Sequence, residues 1–133
     1  MRLFFDEDMG RGIPDALRSV GLGEPPDSIT YVKKVWGARS VVADEQWIPW
    51  AAENGYVAFS CNRAIIDTEA QRELVRSSGL GIIFLTSGQE RSVAVLRRIL
   101  SRWAWLETIE RSEQRPFAYL FPMAGTPRRD PRF

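Results

Sequence analysis

Apolar residues along the chain fall into short solid runs separated by amphipathic stretches. The runs are 2–5 (RLFF), 29–32 (ITYV), 56–60 (YVAFS), 81–85 (GIIFL) and 117–121 (FAYLF). Uninterrupted runs, as opposed to alternating ones, mark strands covered on both faces. Between them lie helical patterns. Ile13, Ala16, Leu17 and Val20 recur at helical spacing and stop at Gly21 and Gly23. Trp47, Ile48, Trp50 and Ala51 form the apolar face of a helix opening at Ala43 or Asp44 and closing at Asn54-Gly55. A capping box, Thr68-x-x-Gln71, opens a helix that runs to Ser78 and is closed by Gly79. A second, Ser87-x-x-Glu90, opens one long helix through about Glu110. Strands alternating with helices predict a three-layer α/β/α sandwich around a mostly parallel sheet. Residues 1–121 form that domain, and the Pro- and Arg-bearing residues 122–133 are expected to be a flexible tail.

In such a sheet ligands sit beyond the carboxyl ends of the strands, so the residues just after each run are the informative ones. They are Asp6-Glu7-Asp8, Lys33-Lys34, Cys61-Asn62-Arg63 and Thr86-Ser87, joined by Asp44 and Glu45 if their helix starts at the same edge. Three adjacent acids at a strand end repel one another, and a divalent cation is the usual remedy. Asp6 and Asp8 with Asp44 or Glu45 would supply carboxylates to Mg²⁺, and Asn62 a neutral oxygen. The plainer alternatives are a capping Asp with two solvated acids at 6–8, and helix-dipole acids at 44 and 45. Arg63 either pairs with the acids or meets a substrate phosphate. Lys33 and Lys34 are a solvated loop or an RNA contact, and Arg91, Arg98 and Arg102 form either a solvated or a phosphate-contacting face.

Composition narrows the chemistry. With 133 residues, 44% hydrophobic and 26% charged, the chain suits one globular domain. It has no His, which removes Ser-His-Asp and Cys-His catalysis and His metal sites. Its one cysteine, Cys61, allows neither an internal disulfide nor a CxxC site. No apolar run approaches a membrane span, and a cytoplasmic location is expected. The net charge of +1 hides an asymmetry: residues 1–69 carry 7 basic and 11 acidic groups, and 70–133 carry 11 and 6. An acidic site beside a polyanion-binding surface would have this form.

Three segments carry a family resemblance. FFDEDMGRGIPDALRSVG resembles the opening of PIN-like domains, ADEQWIPWAAENGYVAFSCNRAI their acidic helix followed by a strand with a polar end, and GIIFLTSG the next strand. The similarity runs over roughly residues 1–121 and is closest to VapC-type toxins. It implies a Mg²⁺- or Mn²⁺-dependent endoribonuclease that leaves a 3′-hydroxyl and a 5′-phosphate. It further implies an RNA substrate, a homodimer, and a cognate antitoxin whose C-terminal segment blocks the acidic groove. By the same resemblance Asp6 is the first-strand acid, Asp44 with Glu45 the helix acid, and Asn62 the position of the acid after the third strand. Arg63 and Thr86 then flank the groove. Asn62 stands where the family more often has Asp, and Asp8 where it often has Asn, so Asp8 is expected to restore the carboxylate count. Trp103 and Trp105 are candidates for the dimer surface. The competing readings are a catalytically degenerate PIN-like module that binds RNA or protein, a DNA nuclease, and a receiver domain. The last lacks both its phosphoacceptor Asp, replaced by Asn62, and a Lys after the fifth run.

Overall fold

The protein is described here by a computed structural model covering residues 1–86 and 91–133. Its six strands are β1 (Leu3–Phe5), β2 (Ile29–Tyr31), β3 (Val57–Ser60), β4 (Gly81–Leu85), β5 (Phe117–Phe121) and β6 (Arg128–Arg129). They form one sheet in the order β2-β1-β3-β4-β5-β6, parallel except for β6, which runs antiparallel to β5. The helices are α1 (Gly12–Ser19), α2 (Val32–Trp36), α3 (Asp44–Glu53), α4 (Glu69–Ser78), α5 (Ser92–Ser101) and α6 (Trp103–Ser112). The architecture is the three-layer α/β/α sandwich that the solid apolar runs predict.

Successive strand residues point to opposite faces, so each run feeds two cores. Leu3 and Phe5 of β1, with Phe59, Ile83 and Phe121, pack under Ile13 and Leu17 of α1, Val95 and Ile99 of α5 and Leu106 of α6. Phe4, with Ala58, Ile82 and Phe84, packs under Trp47, Ile48 and Ala51 of α3 and Val75 of α4. The rings of Phe5 and Phe59 stack across β1 and β3 at 5.3 Å, and Phe4 stacks on Trp47 at 5.3 Å. Because α1 covers one face and α2 and α3 the other, the chain leaves β1 toward β2 on one side and reaches β3 on the other. The order reverses there, at the carboxyl ends of β1 and β3, where sheets of this kind place their ligand crevice.

Several expectations are corrected. The single long helix is two, because the backbone departs from helical values at Arg102 (φ −114°, ψ 18°). The apolar period runs through this point and neither Gly nor Pro marks it, so the sequence carries no stop signal. The proposed capping residues Ser87 and Glu90 lie outside the described residues. Lys33 and Lys34 belong to the short helix α2 and not to a loop. Residues 122–133, expected as a flexible tail, carry β6 and pack against the body. Tyr119 and Leu120 pair with Arg129 and Arg128, and Asp130 is buried. Arg98 donates to the carbonyls of Pro122 (2.8 Å) and Gly125, and Arg102 to that of Gly125 (3.2 Å). Arg76 donates to the carbonyl of Arg132 (3.0 Å) with its guanidinium 5.4 Å from the Phe133 ring centre. Arg98 and Arg102 are therefore spent on main-chain oxygens and do not form the phosphate-contacting face considered above. Trp105 lies against Tyr119 and Phe121, at 5.2 and 5.8 Å, which makes it part of the inner packing.

Close packing at the start of β4 gives a test of this core. A Cβ on Gly81 would lie 2.4 Å from the Phe117 ring, whereas one on Gly12 meets nothing within 4 Å. Gly81→Ala is expected to cost about 1–3 kcal/mol in urea unfolding. Gly12→Ala is expected to cost nothing, and equal midpoints for the two variants would contradict the packing.

Candidate active site

The crevice is built around Asp6, the first residue beyond β1. Its backbone N–H donates to the carbonyl of Phe59 (3.0 Å), which extends the β1–β3 pairing by one residue and fixes the side chain over the carboxyl end of β3. Asp6 also caps the 3₁₀ turn Glu7–Met9, its Oδ1 accepting from the Asp8 N–H at 2.9 Å. Its Oδ2 accepts from the Ser60 hydroxyl. Ser60 Oγ in turn accepts from the Asn62 N–H at 2.9 Å, and Asn62 Oδ1 accepts from the Ala64 N–H at 3.2 Å to cap the turn Arg63–Ile66. One hydrogen-bonded line thus joins the ends of β1 and β3.

Asp6 is only 4% exposed. Burial raises its pKa to about 7, the Asp8 charge pushes in the same direction, and the Ser60 hydrogen bond pulls against both. A carboxyl at the mouth of a crevice that titrates near neutrality has the pKa of a group able to exchange protons or take up a cation. Beside it Cys61 donates to the Asp8 carbonyl at 3.4 Å. Burial and the charges of Asp6 and Asp8 push its thiol up, which lowers the fraction present as the reactive thiolate.

On the other side of Asp6 lies a cleft of about 200 Å³ lined by Glu7, Arg11, Tyr31 and Lys33. Lys33 is tied to Glu7 at 2.9 Å and donates to the Ser40 carbonyl, so it braces the turn after β1. Arg11 is paired with Asp15 at 3.3 Å. Lys34 points elsewhere and lines two other clefts, one with Arg18 and Glu24 and one with Arg2 and Tyr56. Thr86 is exposed beyond β4, its N–H donating to the Phe121 carbonyl at 3.3 Å. Arg63 is exposed at the start of its turn.

The structure thus places Asp6, Asp8 and Asn62 at neighbouring strand ends but does not form the expected shell of Asp6 and Asp8 with Asp44 or Glu45. Asp44 is the first residue of α3, with Ala43 and not Asp44 at the cap position, and its Oδ1 accepts from the Trp47 indole N–H at 3.0 Å. Glu45 is exposed on the same first turn. Among the described residues no three acids converge on a place where they could share a metal ion. What the geometry offers is one desolvated acid, Asp6, with the Asp8 charge near enough to raise its pKa, a repulsion that a cation would relieve. Mg²⁺, which commonly keeps several waters beside one or two carboxylates, fits such a donor set. Ser60 is the residue that reading the sequence missed. Its signal was a lone hydroxyl ending an otherwise apolar run at the ligand-bearing edge.

A family model described as a PIN-like domain matches residues 1–87. The chain belongs to the PIN-like domain family. The matched stretch carries β1 through β4, and with them Asp6, Asp8, Asp44, Ser60, Asn62, Arg63 and Thr86. The PIN-like fold is a nuclease-type fold, and in this PIN-like domain the buried acid stands where the sheet order reverses. No curated protein and no solved structure matches the chain.

The raised pKa of Asp6 has a stability consequence of fixed sign. Between the unfolded value of 3.8 and about 7 the folded state holds the extra proton, so stability falls as pH rises through that window and levels off above it. Asp6→Asn keeps an acceptor for the Asp8 N–H and removes the buried charge. In EDTA at pH 8 the variant is expected to be more stable than the wild type, by on the order of 4 kcal/mol. Its stability should also be flat from pH 4 to 7; a variant less stable at pH 8 would contradict the burial of the charge.

Proposed function

We propose that this PIN-like domain is a metal-dependent endoribonuclease whose central group is Asp6. The observation that carries the reading is the placement of a buried carboxyl of near-neutral pKa at the end of β1, held by Ser60 and adjoining Asp8. Asp6 and Asp8 would hold a Mg²⁺ or Mn²⁺ ion. Such an ion, when bound, polarises a phosphoryl oxygen and lowers the pKa of its water. The chain's own work is to set the acids. Ser60 donates to Asp6 Oδ2 and so fixes one carboxyl rotamer, while the Asp8 N–H fixes the other oxygen. Asn62 is anchored to Ser60 through its own N–H while its side-chain oxygen caps the next turn, so it adds no repulsion to the pair. Asp44 and Glu45 stand on the first turn of α3 as supporting acids, and Arg63 and Thr86 flank the path of the RNA backbone. Lys33 braces the turn, and the expectation that Lys33 and Lys34 bind substrate is replaced by that role for Lys33.

The resemblance to VapC-type toxins supports a toxin–antitoxin setting, with a cognate antitoxin covering the Asp6 cleft, a homodimer and a cytoplasmic location as parts of the same proposal. No helix among the described residues is long and apolar enough to cross a membrane. A second reading, a catalytically degenerate module that binds RNA or protein through the same crevice, is favoured by Asn62 and by the absence of a three-acid cluster among the described residues.

Cleavage of total RNA by the purified protein separates the two readings. The nuclease reading predicts discrete fragments with Mg²⁺ or Mn²⁺ and none with excess EDTA. It predicts a loss of at least about a hundredfold in Asp6→Asn, the scale typical of a displaced general-base or electrostatic group. The rate should rise with pH toward about 7 as Asp6 ionises, with a midpoint that moves down as the cation concentration is raised, because cation and proton compete for one carboxylate. RNA binding with no cleavage under any of these conditions would establish the degenerate module instead.

A further inference from the structure

The fastened C-terminal segment encloses a second feature. A cleft of about 360 Å³ is lined by Arg63, Arg128, Arg129 and Arg132 with Leu120 and Asp130, so four arginines and one acid share its lining. Two of the four are committed. Arg132 grips both oxygens of Asp130, at 3.0 and 2.7 Å, and Arg129 is bound to Glu113 and to the Phe133 carbonyl (3.2 Å). The Arg132 hydrogen bonds hold the Asp130 carboxyl below the usual range, with desolvation opposing and the Arg63 charge adding to the lowering, which places Arg63 within electrostatic reach of Asp130. Arg63 and Arg128 are exposed, and neither forms an ion pair with an acid among the described residues. Two uncommitted guanidiniums beside two fixed ones form a positive notch suited to a phosphodiester, since the guanidinium fork matches phosphate oxygens.

Its position connects it to the crevice. Arg63 directly follows Asn62, the last member of the hydrogen-bonded line from Asp6, and Arg128 pairs with Leu120 near the carboxyl end of β5. Four interstrand steps separate β1 from β6, about 19 Å at ~4.8 Å each. A mononucleotide does not reach across that distance and a polynucleotide does.

We infer that Arg63 and Arg128 form a phosphate-binding subsite for single-stranded RNA, reached by the same strand that lies at Asp6 and closed by the residues of β6. This rests on the ribonuclease reading and deepens it, because it assigns the C-terminal segment a share of substrate binding beyond the family-matched residues.

The test is fluorescence anisotropy of a labelled single-stranded RNA of about 12 nucleotides, a length within the range bound by single-strand clefts. Asp6→Asn protein serves as the parent so that the probe stays intact. Each lost phosphate contact lowers the salt slope of log affinity by about 0.7 for single strands, so Arg63→Gln with Arg128→Gln should lower it by about 1.4 between roughly 50 and 200 mM salt. A charge-matched control, Arg97→Gln with Arg111→Gln on the exposed sides of α5 and α6, should leave the slope in place. An RNA dinucleotide should be insensitive to Arg128→Gln. The subsite is overturned by an unchanged slope in the Arg63/Arg128 pair, by an equal fall in the control, or by polyglutamate binding tighter than RNA, which would make the notch a protein-docking site. The two proposals fail separately. Cleavage by wild-type protein with no change of slope removes the subsite alone, and the expected change of slope in a protein that cleaves no RNA removes the nuclease reading alone.

Discussion

The structure depends on the placement of one carboxyl group against its natural preference. Asp6 follows three fully buried residues, and the pairing of its N–H with Phe59 holds it at the level of the sheet, out of the solvated loop beyond. Desolvating a carboxylate is costly unless it is neutralised or well hydrogen-bonded, and Asp6 shows both responses. Its pKa is raised to about 7, and its two oxygens take hydrogen bonds from Ser60 and from the Asp8 N–H. The 3₁₀ turn, the Ser60–Asn62 anchor and the Lys33–Glu7 brace all serve to hold that arrangement. A buried acid held this way carries a desolvation cost that a bound cation would relieve, and the proposed reaction rests on that.

Arginine does more structural work here than its abundance suggests. Of the 18 basic residues 16 are arginines, and many of them donate to main-chain carbonyls of irregular segments. Arg2 reaches the Asn54 carbonyl at 2.8 Å, Arg72 that of Ile66 at 2.9 Å, and Arg115 that of Tyr56 at 3.1 Å. Arg76, Arg98 and Arg102 do the same for carbonyls of residues 122–133 and hold that segment against the body. The basic balance of the second half is therefore partly architectural. Arg63 and Arg128 differ from the other unpaired arginines in lining one cleft together, beside the fixed guanidinium of Arg132.

The fold was largely legible in the sequence because parallel strands buried on both faces leave solid apolar runs, and β1, β3, β4 and β5 each have one. The strand β6 left no such trace. It is two exposed arginines on an edge, where charge blunts further pairing and apolar content is unnecessary. The break at Arg102 was equally silent, since the apolar period passes through it. The positions of Asp6, Asp8 and Asn62 just beyond β1 and β3 were legible from the ends of the apolar runs. The joining of Asp44 and Glu45 to them was not realised as a metal shell, because sequence order places residues at an edge without fixing which way their side chains turn. Asp44 turns to the Trp47 indole. Ser60 was invisible for a related reason, because its role is a hydrogen bond to a residue 54 positions away.

The most direct test is a ¹³C-detected NMR titration of the Asp6 carboxyl in metal-free protein, with Ser60→Ala measured alongside. The account predicts a midpoint near 7 in the wild type, and a higher one in the variant, which loses the hydrogen bond that favours the charged form. An Asp6 midpoint near the ordinary 3.8, unmoved by Ser60→Ala, would show that the carboxyl is neither buried nor held, and the account of the site would fail with it.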